Sequence, residues 1–268
     1  RERLFGRIAT GDWDAVIVAH SSFKKIDMPR DVQEEILREQ IDAVIEAIEA
    51  SKAAEGGRAT IKQLEKQREK MEERYNALLA GTGEKDRAVD FADLGVDALF
   101  IDESHEFKNL AFQTTMNVSG LGNVTGSAKA LDLFIKCRYL QRQNNGRGVY
   151  FMTGTPISNT IAEVYTLQRY MQYDELKNKD IEHFDAWAST FGQVTSGWEL
   201  DATGVNYKLK SRFAKFQNVP ELLSMYRTFA DVVTKNDLDE QAKQAGERPL
   251  TPPIEGGKPY NDVVERSP

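Results

Sequence analysis

Residues 97–105 have the sequence Asp-Ala-Leu-Phe-Ile-Asp-Glu-Ser-His, a short apolar run that ends in acidic and polar residues. Such a run is typical of a strand that is buried on both faces of a sheet. Residues 149–153, Val-Tyr-Phe-Met-Thr, and residues 14–19, Asp-Ala-Val-Ile-Val-Ala, show the same pattern. The sequence therefore predicts three buried strands, each followed by polar side chains.

Helical patterns separate these three runs. After Ser127, which is suited to cap a helix, apolar residues recur at helical spacing until Asn144-Asn145-Gly146. Residues 31–80 contain two more apolar stripes, which Gly56-Gly57 separates. Because strands and helices alternate, the predicted fold class is α/β, with a parallel sheet and crossover helices.

Four segments extend this organisation. We interpret residues 31–80 as an inserted antiparallel helical hairpin, in which the helices either bury each other or form an arm that binds a protein partner. Alternating residues at 198–209, around Asp201-Ala202-Thr203-Gly204, predict a small peripheral β-hairpin in the C-terminal part, and a helix is expected after Asn218. Residues 246–268, rich in Pro and Gly, predict a linker.

Composition limits the class of protein. The 268 residues are 40% hydrophobic, which is enough for one sizeable core. The formal net charge is -7, whereas nucleic-acid binders typically carry a basic excess, so any DNA contact must be local. Cys137 is the only cysteine and cannot form an internal disulfide. With no membrane-spanning run and no signal peptide after Arg1, we expect a cytoplasmic protein without a membrane partner.

Asp102 and Glu103 follow a predicted strand at its carboxyl end, where open parallel sheets bind ligands. Nucleotide hydrolysis needs one carboxylate to hold the Mg²⁺ that bridges the phosphates, and another group to orient or deprotonate water. Asp102 suits the metal and Glu103 suits the water. The alternative is that both acids are simply solvated.

Residues 153–159, Thr-Gly-Thr-Pro-Ile-Ser-Asn, follow another predicted strand. Gly154 and Pro156 favour a tight exit from that strand, and the hydroxyls of Thr153 and Thr155 are expected to reach the acidic cluster at the neighbouring strand end. An ordinary strand-to-helix turn capped by hydroxyls is the alternative.

In this order, residues 14–23, 102–109 and 153–159 closely resemble three motifs of the Swi/Snf-like ATPases of helicase superfamily two. In that family the first motif lies near the DNA backbone, the second is the Walker B or DExH motif, and the third is motif III. Asp102, Glu103 and His105 match the DExH motif position by position. The later segment 218–222 is also similar to the family.

The resemblance implies a partial RecA-like first motor lobe at residues 1–30 and 81–175, followed by an accessory segment at 176–245. It implies ATP and Mg²⁺ as cofactors of the intact parent, and double-stranded DNA and a second motor lobe of the same parent chain as partners. The implied site residues are Asp102, Glu103 and His105 for catalysis, Asp102 for the metal, Asp102, Thr153, Gly154 and Thr155 for the nucleotide, and His20, Ser21, Thr155 and Asn159 for DNA.

The sequence departs from the family in one essential part. The family binds ATP phosphates with a loop that ends in Gly-Lys-Ser or Gly-Lys-Thr, and this string does not occur. We expect the loop to precede Arg1 in a longer parent, so that this chain alone is inactive and binds no nucleotide tightly. The overall character is similar to the helicase portion of very large phage or mobile-element proteins that also carry adenine methyltransferase domains.

Two rival functions stay open. The chain could be a non-catalytic protein–protein interaction module built on a helicase-like scaffold. A metal-dependent nuclease is less favoured, because no second acidic cluster follows another strand.

One helix is unusually basic for this acidic chain, and we expect its cations to form a solvated face, with phosphate contact as the alternative: Lys129, Lys136, Arg138 and Arg142.

Overall fold

The computed structural model describes residues 2–53, 58–80, 89–116, 118–122, 124–158, 160–200 and 206–248. Short 3-10 turns occur at Ala92–Leu94 and Ser104–Phe107. The helices and strands of the described residues are α1 (Glu2–Thr10), α2 (His20–Phe23), α3 (Arg30–Ala53), α4 (Arg58–Leu79), β1 (Leu99–Ile101), α5 (Ala128–Gln143), β2 (Val149–Phe151), α6 (Ala162–Met171), α7 (Tyr173–Asn178), α8 (Phe184–Phe191), β3 (Gly192–Leu200), β4 (Tyr207–Phe216), α9 (Val219–Arg227) and α10 (Lys235–Gln244).

Strands β1 and β2 form a parallel pair, with Leu99 opposite Val149 and Ile101 opposite Phe151. Helix α5 connects them, as a parallel pair requires. The predicted α/β class, a partial RecA-like parallel sheet with flanking helices, is therefore confirmed. On one face of this pair the rings of Phe100 and Tyr150 are stacked at 4.5 Å and stay exposed.

The third strand, predicted at residues 14–19, is wrong. This segment has no regular secondary structure, and Ile17 is 100% exposed. Helix α2 follows it directly, and the amides of Ser22 and Phe23 donate to the Ala19 carbonyl at 2.8 and 3.0 Å. An apolar run becomes a strand only when another strand pairs with it, and none of the described residues does so here.

Helix α5 lies at the centre of the core. Its predicted cap is confirmed, because the Ser127 hydroxyl accepts a hydrogen bond from the Ala130 amide. Its predicted end is confirmed too, since Asn145 and Gly146 adopt positive φ directly after it. Burial raises the pKa of the Cys137 thiol. The buried apolar residues of the helix are Ala130, Leu133, Phe134, Ile135, Cys137 and Leu140.

The predicted solvated basic face of α5 is wrong. Lys136 and Arg138 are buried, and Lys136 also lies 4.3 Å from the centre of the Phe23 ring. Desolvation lowers the pKa of Lys136 and raises the pKa of Asp132. All four cations are ion-paired within the chain: Lys129 with Glu106 at 2.6 Å, Lys136 with Asp132 at 2.7 Å, Arg138 with Asp174 at 2.7 Å, and Arg142 with Glu35 and Glu39 at 3.1 Å. Arg138 and Arg142 therefore join α5 to α7 and α3, whereas Lys136 pairs within α5 and Lys129 pairs with the turn at Ser104–Phe107. Contact with phosphate would require breaking those pairs.

Helices α3 and α4 pack along each other. Val44 and Ile48 of α3 and Leu64 and Met71 of α4 form one buried apolar cluster, which also includes Ala111. The buried Arg169 guanidinium of α6 donates to the side chain of Gln40 at 2.7 Å and to the Ala111 carbonyl at 2.5 Å. The apolar stripes of the two helices thus face each other, while residues 54–57 between them lie outside the described residues.

Strands β3 and β4 form an antiparallel hairpin that is longer than the predicted 198–209. The Ser119 amide donates to the Ser211 carbonyl at 2.8 Å, which fixes the middle of β4. Towards the far end, Trp198 lies opposite Leu209, and their side chains are 69% and 60% exposed. The predicted turn at 201–204 lies outside the described residues.

The chain divides into two compact units, Arg1–Leu223 and Ser224–Pro268. In the second unit, Thr234 caps α10 by accepting from the Asp237 amide, while the Asp237 carboxylate accepts from the Thr234 amide at 2.7 Å. Most of the predicted linker 246–268 lies outside the described residues. None of the described helices is long and apolar enough to cross a membrane.

We predict that Leu133→Ala lowers the free energy of unfolding by about 2–5 kcal/mol, because it leaves a cavity beside fully buried neighbours on α5. Leu209→Ala is the matched control, since the Leu209 side chain is 60% exposed. Chemical denaturation of the three proteins provides the measurement. Equal losses in both variants would contradict the central position of α5 in the core.

Candidate functional site

The loops that follow β1 and β2 leave the sheet at the same edge. The Met152 amide donates to the Ile101 carbonyl at 2.8 Å, and the Ser104 amide donates to the Met152 carbonyl at 3.0 Å. The backbone ladder therefore continues beyond both strands, and it brings Asp102 and Thr153 to neighbouring strand ends. This is the edge where parallel sheets bind ligands.

Glu103 has an unusual backbone conformation. Its φ of 49° and ψ of 45° lie in the left-handed region, which non-glycine residues seldom occupy. Its amide donates to Oδ1 of Asp102 at 2.9 Å, and the Glu103 side chain is 61% exposed. Residues held in such conformations concentrate at functional sites. Both carboxylates are accessible to a ligand.

His105 joins the two loops. Its Nδ1 lies 3.1 Å from Oε2 of Glu103 and 3.2 Å from Oγ1 of Thr153. Because a carboxylate can only accept, the contact with Glu103 requires a proton on Nδ1, and the Thr153 hydroxyl, which also accepts from the Thr155 amide at 3.1 Å, is a second oxygen next to that proton. The Thr153 hydroxyl therefore reaches the acidic loop at His105 and not at a carboxylate, whereas Thr155 contributes its backbone amide to Thr153.

A second connection between the loops involves a residue that the sequence did not single out. Glu163, in the first turn of α6, is only 8% exposed. Its Oε1 pairs with Lys108 Nζ at 3.1 Å, and its Oε2 accepts from the Ser158 amide at 2.6 Å. Lys108 also donates to the Ser158 hydroxyl. The sequence signal for Glu163 is an acid in the first turn of α6.

The other predicted residues that the structure describes belong to α2 and to the turn that begins at Thr153. The His20 ring packs edge-on against Phe107 with 5.0 Å between ring centres, which brings α2 next to the turn at Ser104–Phe107. Ser21, Gly154 and Thr155 are exposed. Asn159 lies outside the described residues. The geometry thus groups these side chains, whereas their roles towards DNA and nucleotide stay predictions.

Glu106 lies in the same loop and pairs with Lys129 of α5. The hydrogen bond and the positive charge of Lys129 lower the pKa of Glu106 below its ordinary value. Glu106 therefore stays ionised and engaged with Lys129. This pairing sets Glu106 apart from Glu103, whose carboxylate faces His105.

The acidic loop suits a cation that arrives with a phosphate ligand. Within the part of the chain that the structure describes, no group of three or more His, Cys, Asp or Glu side chains could hold a metal ion. Mg²⁺ at nucleotide sites is held by one or two carboxylates together with phosphate oxygens. Asp102 fits this pattern because its exposed carboxylate needs only to supplement such oxygens.

The parallel strand pair and the acidic loop at its carboxyl edge define an α/β domain with a candidate ligand site at the strand ends. The chain belongs to the family described as "Probable helicase domain", which matches residues 1–234. It is also similar to "Defense against restriction protein B" of Escherichia phage P1, with 23% identity over 237 residues. That match covers 87% of this chain but only 10% of the phage protein. No solved structure gave a significant match.

We predict that Lys129→Ala raises the pKa of Glu106 towards its ordinary value, because the hydrogen bond and the nearby positive charge are lost. In the unmodified protein the lowered pKa means that this pair stabilises the fold above the unfolded-state pKa of Glu106. That contribution is lost as the pH falls through the folded-state pKa. Carboxyl NMR titration measures the shift. Lys179→Ala, which removes another surface cation, should leave the Glu106 titration unchanged.

Proposed function

We propose that this chain is part of the first motor lobe of a DNA-dependent ATPase of the Swi/Snf-like type, which moves along double-stranded DNA. The observation that carries the proposal is His105, whose Nδ1 contacts both Glu103 and Thr153 across two strand ends. A solvated acidic loop would not need a side chain that joins it to the next strand. A nucleotide site whose activity depends on DNA bound at a neighbouring surface does need such a side chain.

In this proposal Asp102 and Glu103 have separate tasks. Asp102 holds the Mg²⁺ of the nucleotide, and the bound ion offsets charge on the phosphate oxygens. Glu103 orients the attacking water and accepts its proton, since its exposed carboxylate faces the ligand edge of the sheet. His105 holds Glu103 beside the Thr153 turn. The strained backbone at Glu103 supports a functional role for its side chain.

DNA would contact the exposed residues next to this loop. We assign His20 and Ser21 of α2, and Thr155 with Asn159 of the Thr153 turn, to the sugar–phosphate backbone. The net charge of -7 restricts binding to such a local surface. The internal pairing of the α5 cations agrees with this, because those side chains are engaged with carboxylates of the same chain.

The rest of the nucleotide site would come from other parts of a longer protein. The sequence contains no Gly-Lys-Ser or Gly-Lys-Thr string to bind phosphates. The chain spans about a tenth of its phage relative, so a parent with further motor segments is compatible with that match. Activity, nucleotide and DNA are therefore proposed for the parent protein.

We predict that Glu103→Gln in the parent protein lowers DNA-stimulated ATP hydrolysis by at least about 100-fold, because an amide cannot accept the proton of water. Steady-state turnover with saturating double-stranded DNA is the measurement. Glu106→Gln is the matched control, since Glu106 lies in the same loop but pairs with Lys129. Full turnover in Glu103→Gln would refute the proposed role. A parent that lacks ATPase activity would favour the protein–protein interaction module.

We predict that the 268-residue chain alone binds ATP with a Kd weaker than about 1 mM, because the phosphate-binding loop supplies most contacts to the nucleotide. Isothermal titration calorimetry with Mg²⁺ and ATP provides the test, with the parent protein as the positive control. Micromolar binding by the isolated chain would show that its own residues form a complete phosphate site.

A further inference from the structure

Glu163 has no task in the proposed hydrolysis, yet its surroundings are unusual. A carboxylate that is only 8% exposed loses hydration and needs strong partners. Lys108 and Ser158 supply them, one at each carboxylate oxygen. Lys108 follows the turn that begins at Ser104, whereas Ser158 belongs to the turn that begins at Thr153. A single buried side chain therefore binds both strand-end loops.

The turn after β2 is held at two points. At its start, Thr153 contacts His105, and near its end Ser158 contacts Lys108 and Glu163. Between these points the residues at 154–157 are exposed, including Ile157 at 47%. A ligand that displaces the exposed middle of this segment would pull on the contacts at both of its ends. The contact between Thr153 and His105 is one of them.

A small pocket lies between the two points of attachment. His105, Thr153, Lys108, Pro156 and Glu163 are among the residues that line it. The lining therefore includes residues of both attachments, which act on the same pair of loops.

We infer that Glu163, through its contacts with Lys108 and Ser158, is a positioning residue that holds the Thr153 turn in register with the Glu103 loop. This inference rests on the proposed function, because it gives Glu163 a role in the DNA-stimulated part of ATP hydrolysis. In this role Glu163 acts through other side chains and is assigned no contact with the nucleotide or the attacking water. It keeps His105 within reach of both Thr153 and Glu103 when the exposed turn is occupied.

The test uses Glu163→Gln and Lys108→Met in the parent protein, each assayed with and without double-stranded DNA. Both variants should lower DNA-stimulated kcat about tenfold, since each removes a charge-assisted contact. Basal kcat and the KM for ATP should change less than about twofold. The double variant should be no worse than either single one, because both changes break the same contact. Glu175→Gln, on the exposed side of α7, is the matched control and should behave like the unmodified protein.

A double-mutant cycle that combines Glu163→Gln with Thr153→Val separates a positioning role from a general effect on folding. If Glu163 acts through the Thr153 contact, Glu163→Gln should add little to the loss already caused by Thr153→Val. A purely structural role would instead lower basal and stimulated turnover equally and reduce the melting temperature in parallel. Either that result or unchanged stimulation in both Glu163→Gln and Lys108→Met would overturn the inference.

Glu103→Gln, measured beside these variants, distinguishes a failure of the positioning role from a failure of the proposed function. If Glu103→Gln abolishes turnover while Glu163→Gln keeps normal DNA stimulation, only the positioning role fails. If Glu103→Gln keeps normal turnover, the proposed function and the positioning role fail together. Should Glu163→Gln not fold, Lys108→Met still tests the contact, because the Lys108 side chain is partly exposed at 24%.

Discussion

The backbone hydrogen bonds between the ends of β1 and β2 determine the rest of the candidate site. Because the amides of Met152 and Ser104 extend the parallel ladder past the strands, the two following loops start side by side. Only then can His105 reach Thr153, and only then can Glu163 bind both Lys108 and Ser158. Asp102, Glu103 and residues 154–158 are exposed, whereas Phe107 of the first loop packs in the core. Their geometry depends on a ladder of short strands and on a few side-chain contacts.

Buried cations provide many of the polar contacts between the segments around this ladder. Lys136, Arg138 and Arg169 are almost inaccessible to solvent, and each reaches a partner on another segment or in its own helix. Their aliphatic stems pack in the core while their charges meet carboxylates or carbonyl oxygens. An acidic chain with basic residues inside therefore differs from a DNA-binding protein whose cations cover a face. Under the proposed function, DNA would therefore contact the loops at the sheet edge and not these buried cations.

Local signals in the sequence predicted the parts of the fold that depend on local interactions. Ser127 caps α5, Asn145 and Gly146 end it, and the runs at 99–101 and 149–151 form strands. The failures involve partners that are distant in sequence. Residues 14–19 have a strand-like pattern but no strand pairs with them among the described residues, and Lys136 is buried by contacts with Phe23 and Phe91. In the site, the motifs identified Asp102, Glu103, His105 and Thr153, whereas Glu163 emerged only when α6 was seen to pack beside both loops.

The left-handed backbone at Glu103 affects which residue selection would favour at this position. A side chain in that region costs about 1 kcal/mol or more, whereas glycine adopts it freely. Libraries screened for heat resistance alone should therefore enrich glycine or asparagine at this position, since both relieve the strain. Selection for hydrolysis by the parent should keep the acid. Competition between the two residues in such a library would report directly whether this position is retained for robustness or for chemistry.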